Sequence, residues 1–191
     1  ANGQGVRTFE ISDRKSELNE MLDFLRKVKG NGHRLVGFNN IGFDYPVLHH
    51  ILQKARLAFA DKSVLSIDAK EIYDVAMGLI NSQKDEKFGN TIKESEVIIP
   101  QVDLFKVHHF DNKARATSLK MLEFNMRSNN IEDLPFPVGK PLSNQEKETL
   151  LKYNKHDVME TLKFYWYSYD ALKLRAELSE QFGFDCTNFN D

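Results

Sequence analysis

Apolar residues recur every three or four positions early in the chain, which predicts an amphipathic helix. The repeat follows Ser12, a residue type that favours the N-cap position, and it ends at the glycine-rich turn 30–32. Its members are Leu18, Met21, Leu22, Leu25 and Val28. An extended stretch at 6–11 precedes this helix, and a short apolar run at 33–38 predicts a buried strand after it. The alternation of strand and helix favours an α/β layered fold.

The middle of the chain predicts two more helices and one more strand. A helix starts near Tyr45, where Pro46 is well placed in the first turn. Helical spacing returns at 68–81, and an extended apolar pattern at 97–107 predicts a strand. We expect residues 54–100 as a whole to form an irregular, partly helical insertion.

The last third is predicted to be helical up to a terminal loop. Thr117 or Ser118 is positioned to cap one helix, and Ser143 with Glu146 forms the sequence signature of a capping box for the next. That second helix continues to about residue 172, with a kink as an open alternative. Its apolar stripe is expected to run through Leu151, Val158 and Leu162. Residues 183–191 are expected to be a truncated C-terminal loop.

Composition narrows the class of protein. The 191 residues suit a single domain, and their net charge of -2 argues against a protein that coats nucleic acid with basic residues. No apolar run approaches the roughly 20 residues that cross a bilayer, and no secretory signal pattern is present. The single cysteine, Cys186, cannot form an internal disulfide. We therefore expect a cytoplasmic protein without a membrane partner.

Candidate chemistry first appears where the strand at 33–38 ends. The segment 37–46 reads G-F-N-N-I-G-F-D-Y-P, so a carboxylate, Asp44, stands where the next helix begins. The carboxyl end of a strand is the usual place for ligand sites in α/β sheets. Two structural alternatives remain open: Asp44 as an N-cap, and Asn39 and Asn40 as turn residues that tolerate left-handed geometry.

A second candidate lies on the long C-terminal helix. Tyr153 and Asp157 are four residues apart, so their side chains meet on one face of a helix. His156 is expected to be solvated, since it projects away from that pair.

Together the two segments resemble the second and third motifs of the DEDD, or RNase H-like, 3′–5′ exonuclease superfamily. The segment 37–46 is similar to the motif Asn-x-x-x-Phe-Asp-x-Pro, and Tyr153 to Asp157 is similar to the Tyr-x-x-x-Asp motif of the tyrosine subtype. The likeness extends to the proofreading domains of family-B and phage-type DNA polymerases. It implies an RNase H-like mixed sheet flanked by helices, in a single exonuclease-like domain spanning 1–191.

The resemblance also implies an activity: hydrolysis of phosphodiester bonds at single-stranded DNA 3′ ends with two Mg²⁺ or Mn²⁺ ions, with proofreading for a DNA polymerase as one role. Asp44 and Asp157 would bind the metal ions, and Tyr153 would orient the attacking water. Asn39 and Phe43 would contact the terminal nucleotide. A phage-encoded protein in the host cytoplasm would fit this likeness.

The chain departs from the family in one respect. No Asp is followed two positions later by Glu, so the first motif, Asp-x-Glu, is absent. We expect a fragment that lacks its N-terminal strand or strands, with an upstream segment or a polymerase domain supplying the missing carboxylates. The alternative is a catalytically incomplete nucleic-acid-binding or assembly module on the same fold. An RNA exonuclease would share the active site and stays open.

Two further segments are candidates for nucleic-acid contact. Residues 106–120 are rich in cations, so Lys113 and Arg115 are candidates for binding phosphates, with an ordinary solvated loop as the alternative. The aromatic run 164–169 is expected to be core or a subunit interface more than a base-stacking surface.

Overall fold

A computed structural model describes residues 5–85, 92–109 and 117–189. In these residues the protein is mixed α/β and mostly helical, with seven α-helices and one small parallel sheet of two strands. The predicted α/β class is therefore correct at this coarse level.

The chain divides into two compact units. The first unit comprises Ala1–Leu35 and Asn39–Gln101, and the second comprises Val36–Phe38 and Val102–Asp191. The boundary falls within both strands of the sheet, β1 (Leu35–Gly37) and β2 (Gln101–Asp103). The expectation of one domain over 1–191 stays a prediction.

The first unit is built on three helices. They are α1 (Leu18–Gly30), α2 (Asp44–Ala60) and α3 (Ala69–Asp85), followed by a 3-10 turn at Glu94–Glu96. The apolar face of α1 packs on α2 and on the segment before α3, in a core of Leu18, Leu22, Ile51 and Ile67. The helical repeat and the helix beginning near Tyr45 are confirmed, because both carry an apolar face for this core.

The extended stretch at 6–11 forms no named strand, and Ile11 makes an isolated antiparallel bridge with Ser16. The cap predicted for the first helix is wrong. Ser12 does not cap α1: its hydroxyl donates to Glu10 Oε1 over 2.6 Å and accepts from the backbone N–H of Arg14. Ser12 thus closes a local turn, and the helix begins only at Leu18.

Four helices form the second unit. They are α4 (Leu104–His109), α5 (Leu119–Asn125), α6 (Asn144–Tyr167) and α7 (Tyr169–Phe182). Its core comprises Val102, Leu104, Leu122 and Phe164. None of the helices among the described residues combines the length and apolar character needed to cross a bilayer.

Helix caps in the second unit follow the sequence closely. The Ser118 hydroxyl accepts from the Met121 N–H and starts α5, and Ser143 with Glu146 forms the predicted capping box of α6. The long helix is interrupted at Ser168, a buried residue whose hydroxyl bonds His108 Nε2 over 2.9 Å. The kink left open by the sequence is therefore a break between α6 and α7.

The strand predicted at 97–107 is largely wrong. Only Gln101–Asp103 is a strand, and Leu104 already begins α4. Asp103 explains the switch, since its Oδ1 accepts from the Phe105 N–H over 3.0 Å and so favours helix initiation. Gly183 ends α7 in a left-handed conformation with φ of 72°, and residues 183–189 contain no helix or strand. That this loop is truncated stays a prediction.

Candidate active site

A tight turn connects β1 to α2. Asn39 adopts a positive φ of 57°, and its carbonyl accepts from the N–H groups of Gly42 and Phe43. A Cβ at position 42 would lie 2.7 Å from Asn39 Oδ1, so a larger residue there would require the Asn39 side chain to move. The predicted left-handed turn residue is thus Asn39, and its side chain is exposed.

Asp44 is the first residue of α2, and Phe43 is the N-cap. The N-cap role that was an alternative for Asp44 therefore falls to Phe43, which makes no side-chain capping hydrogen bond. The Asp44 carboxylate is exposed and lies in the first turn, where the helix dipole favours a negative charge. Asn39, Phe43 and Asp44 all lie within six consecutive residues at one end of α2.

Beneath this turn lies a group of buried uncharged polar side chains, which we call the Tyr45 cluster: Asn40, Tyr45, His49 and Gln101. Asn40 Nδ2 donates to Gln101 Oε1 over 2.9 Å, and the Tyr45 hydroxyl accepts from the N–H groups of Ile98 and Ile99. Asn40 Oδ1 and His49 Nδ1 have no hydrogen-bond partner among the described residues. Sequence reasoning missed these contacts, because they join positions more than fifty residues apart.

On α6 the predicted pair comes together. Tyr153 and Asp157 lie side by side, close enough for the phenol to favour the charged carboxylate as a hydrogen-bond donor. Burial, followed by the nearby Asp157 charge, raises the pKa of Tyr153 to about 12. The phenol therefore keeps its proton at neutral pH and can donate to an oxygen but not remove a proton from water.

Burial also raises the pKa of the Asp157 carboxyl above its ordinary value. The hydrogen bond from Tyr153 opposes this shift, and so do the charges of His156 and Lys120. Lys120 itself forms an ion pair with Asp133. Asp157 is thus a partly buried carboxylate whose negative charge is incompletely compensated by the residues around it.

Glu123 and His156 are neighbours of this pair that sequence reasoning missed. Glu123, on α5, is only 1% exposed, and its Oε2 lies 3.4 Å from His156 Nε2. Burial raises the pKa of the Glu123 carboxyl, while His156 opposes the shift. The expectation of a solvated His156 is wrong, because the ring is partly buried beside α5. Glu123, Tyr153, His156 and Asp157 are called the Asp157 cluster below.

The face of α6 that turns inward matches the predicted stripe in part, since Leu151 and Leu162 are partly buried but Val158 is exposed. Val158 is 53% exposed, whereas Tyr153 and Asp157 are partly buried and Phe164 is buried. Positions 153, 157 and 164 follow helical spacing, so the stripe facing inward is polar for two turns before it becomes aromatic. A stripe of this kind was overlooked because apolar residues alone defined the prediction.

The remaining candidate residues are the two cations of segment 106–120, the aromatic run 164–169 and Asp103. Lys113 and Arg115 lie outside the described residues. Within the aromatic run, Phe164 belongs to the core and Tyr165 packs against it, while Trp166 and Tyr167 are largely exposed. A subunit interface at the exposed members stays a prediction. Asp103 is buried at the junction of β2 and α4, where it has the capping role described above.

The chemistry of the donors suits a hard divalent cation, but their number is short. Carboxylate and phenol oxygens are the ligand atoms that Mg²⁺ and Mn²⁺ prefer, and a cation would offset the charge that burial disfavours on Asp157. Nowhere in the described parts of the chain, however, do three or more His, Cys, Asp or Glu side chains gather as metal ligands. Asp44 belongs to the first unit and Asp157 to the second. Their sharing of one metal site stays a prediction.

Comparison of the chain with protein-family models, with curated proteins and with solved structures finds no match.

Proposed function

We propose that this chain carries part of a 3′–5′ exonuclease active site of the tyrosine DEDD type on an RNase H-like fold. The substrate would be the 3′ end of single-stranded DNA, and the reaction would be hydrolysis of its terminal phosphodiester bond. The observation that carries the proposal is the juxtaposition of Tyr153 and Asp157 on one face of α6, with a carboxylate that is partly buried and incompletely neutralised.

A carboxylate of this kind has a physical reason to bind a cation. Burial costs its ionised form free energy, and a divalent ion would recover that cost through direct coordination. Surface carboxylates gain much less, because water already solvates them. Asp157 is therefore the residue of the chain that we assign to the metal ion, with Asp44 as the second metal ligand of the proposal.

The remaining residues would bind and orient the substrate. Two divalent ions, when bound, would stabilise charge on the attacking and leaving oxygens of the phosphodiester. Tyr153 would orient the attacking water through its hydroxyl oxygen, which can accept a hydrogen bond from the water while the hydroxyl proton faces Asp157. Asn39 and Phe43 lie beside Asp44 at the start of α2 and would contact the terminal nucleotide, and Lys113 and Arg115 would bind backbone phosphates.

Two carboxylates are too few to hold two metal ions firmly. Because no Asp-x-Glu pair occurs in these 191 residues, the other carboxylates would come from a partner, such as a polymerase domain, or from a segment not in this sequence. We therefore expect weak or no nuclease activity from the chain alone.

The test combines metal binding with digestion. Mn²⁺ titration of the purified chain should show a site that Asp157→Asn weakens by at least tenfold. Asp170→Asn, an exposed carboxylate in the first turn of α7, is the matched control and should leave binding unchanged. Equal Mn²⁺ affinity in the chain and in both variants would contradict the proposal.

Digestion of a 5′-labelled single strand checks the second part. The chain alone should release few or no nucleotides in Mg²⁺. Robust Mg²⁺-dependent digestion that Asp157→Ala abolishes would refute the expected incompleteness while supporting the assigned site. Parallel DNA and RNA strands would distinguish the DNA exonuclease from the RNA exonuclease.

A second candidate function is a nucleic-acid-binding or assembly module that performs no hydrolysis. It is favoured by the shortage of grouped metal ligands among the residues that the structure describes. Such a module should bind a single strand with the same affinity with and without divalent ions, and Asp157→Asn should not change that affinity.

A further inference from the structure

His49 is a buried histidine in the middle of the first unit. It lies on α2, one turn after Tyr45, and is only 7% exposed. The rings of Tyr45 and His49 are 5.6 Å apart, centre to centre. Since the Tyr45 hydroxyl binds the backbone at Ile98 and Ile99, the histidine ring lies beside the contact that attaches this segment to α2.

The two ring nitrogens have different surroundings. Nε2 lies 3.1 Å from the side-chain nitrogen of Gln53. Nδ1 is buried and has no hydrogen-bond partner within the described ranges. Whichever way the Gln53 amide is turned, it serves only Nε2, so a proton on both nitrogens would leave at least one buried N–H without an acceptor.

The charged groups around the ring do not compensate for the cost of burying a protonated His49. Tyr45 and Gln53, the residues of α2 that touch the ring, are uncharged. The carboxylate of Glu96, from the 3-10 turn, is the charged group whose field favours the protonated ring. Its effect is smaller than the cost of burial, and the pKa of His49 is held below its ordinary value.

We propose that His49 makes the first unit acid-sensitive: the ring is accommodated only when neutral, and its protonation drives it toward water and loosens α2 from residues 98–99. This acid sensitivity does not rest on the proposed nuclease function, because it needs neither a metal ion nor a nucleic acid. It would reduce the stability of the first unit as the surroundings become mildly acidic.

The direction follows from proton linkage. The folded chain binds the proton of His49 less readily than the unfolded chain, whose histidine titrates near pH 6.5. The contribution of neutral His49 to the free energy of unfolding is therefore fully present above pH 6.5 and is lost as the pH falls below that value. Between the unfolded and folded pKa values, the unfolding constant rises by about tenfold per pH unit.

Urea unfolding of the full chain at pH 7, 6 and 5 tests the proposal. The steep rise of the unfolding constant should be lost in His49→Phe, which keeps an aromatic ring but cannot titrate. His33→Gln, which removes an exposed histidine of the same unit, should keep the slope of the parent chain. Equal slopes in the parent chain and His49→Phe would overturn the proposal.

A second measurement covers the case in which His49→Phe does not fold. NMR titration of the His49 ring in the parent chain should show protonation only below pH 6.5, together with weakened amide protection in α2. Protonation at or above that pH would refute the proposal, as would protonation that leaves α2 amides unaffected.

Discussion

Two polar clusters in this protein are built from similar side chains but differ in charge. The Tyr45 cluster of the first unit consists of amides, a phenol and a histidine whose pKa is held low. The Asp157 cluster of the second unit also contains a phenol and a histidine, but with two carboxylates, and burial raises the pKa of both carboxyls. The Tyr45 cluster is thus neutral, whereas the Asp157 cluster carries negative charge that its surroundings compensate incompletely.

This difference separates a structural role from a candidate functional one. Neutral groups that bond one another or the backbone fasten chain segments together at little cost. Buried carboxylates destabilise the fold that contains them unless a cation or a hydrogen-bond donor compensates their charge. They are therefore poorly suited to holding chain segments together. Perturbed carboxyl groups beside a phenol are typical of sites that bind cations or move protons. The comparison predicts opposite responses to substitution in the two clusters.

The largest stability effect is expected for Tyr45→Phe. The change removes the oxygen that accepts from Ile98 N over 2.7 Å and from Ile99 N over 3.3 Å. Because Ile99 is buried, its N–H would lose its partner without gaining water, at a cost of about 1–3 kcal/mol. Urea unfolding measures the loss. Tyr73→Phe, which removes a hydroxyl from an exposed residue of α3, should change stability by less than about 0.5 kcal/mol. Similar losses of stability in both variants would mean that the Tyr45 hydroxyl does not stabilise the fold through Ile98 and Ile99.

The sequence predicts those parts of the fold that depend on neighbouring residues. The Ser118 and Ser143 caps and the start of α2 near Tyr45 are local, so the signals for them lie within a few positions. The pattern at 97–107 was misleading, because its apolar residues are buried equally well by a short strand and by a helix that Asp103 initiates. Tertiary contacts decide between the two, and they are not visible in a single segment.

The same limit applies to the candidate site. Tyr153 and Asp157 were predictable as a pair because four residues make one helical turn. Glu123 and His156 were not, since their contact spans 33 positions and joins α5 to α6. A buried glutamate next to the apolar residues of a short helix was the available signal, because such a residue needs a partner.

Glu123→Gln should have a smaller effect that grows with pH. The raised pKa means that the folded chain holds the carboxyl proton more tightly than the unfolded chain does. The stability of the parent chain is therefore fully present below the unfolded pKa and declines as the pH rises through the folded pKa. Glutamine keeps the volume and stays uncharged, so the variant should gain stability relative to the parent between pH 4 and pH 8.

Urea midpoints at several pH values measure this gain. Glu177→Gln, at an exposed position of α7, is the matched control and should show no such trend. The stability difference between Glu123→Gln and the parent chain could instead be constant with pH. Glu123 would then act as a neutral structural group, and the contrast between the two clusters would disappear.

The smallest stability effect is expected for Tyr153→Phe, which is the counterpart of Tyr45→Phe. Tyr153 is only partly buried, and its hydroxyl donates to a side chain, so no backbone group is left without a partner. We expect a loss of at most about 1 kcal/mol.

The informative change is in Asp157: without the donated hydrogen bond, which favours the charged form, its pKa should rise further. Carboxyl-carbon NMR of Asp157 measures that shift, with Tyr167→Phe, an exposed phenol on the same helix, as the control. An unchanged or lower pKa would mean that the phenol does not tune this carboxylate, and the assignment of Tyr153 to the site would lose its physical basis.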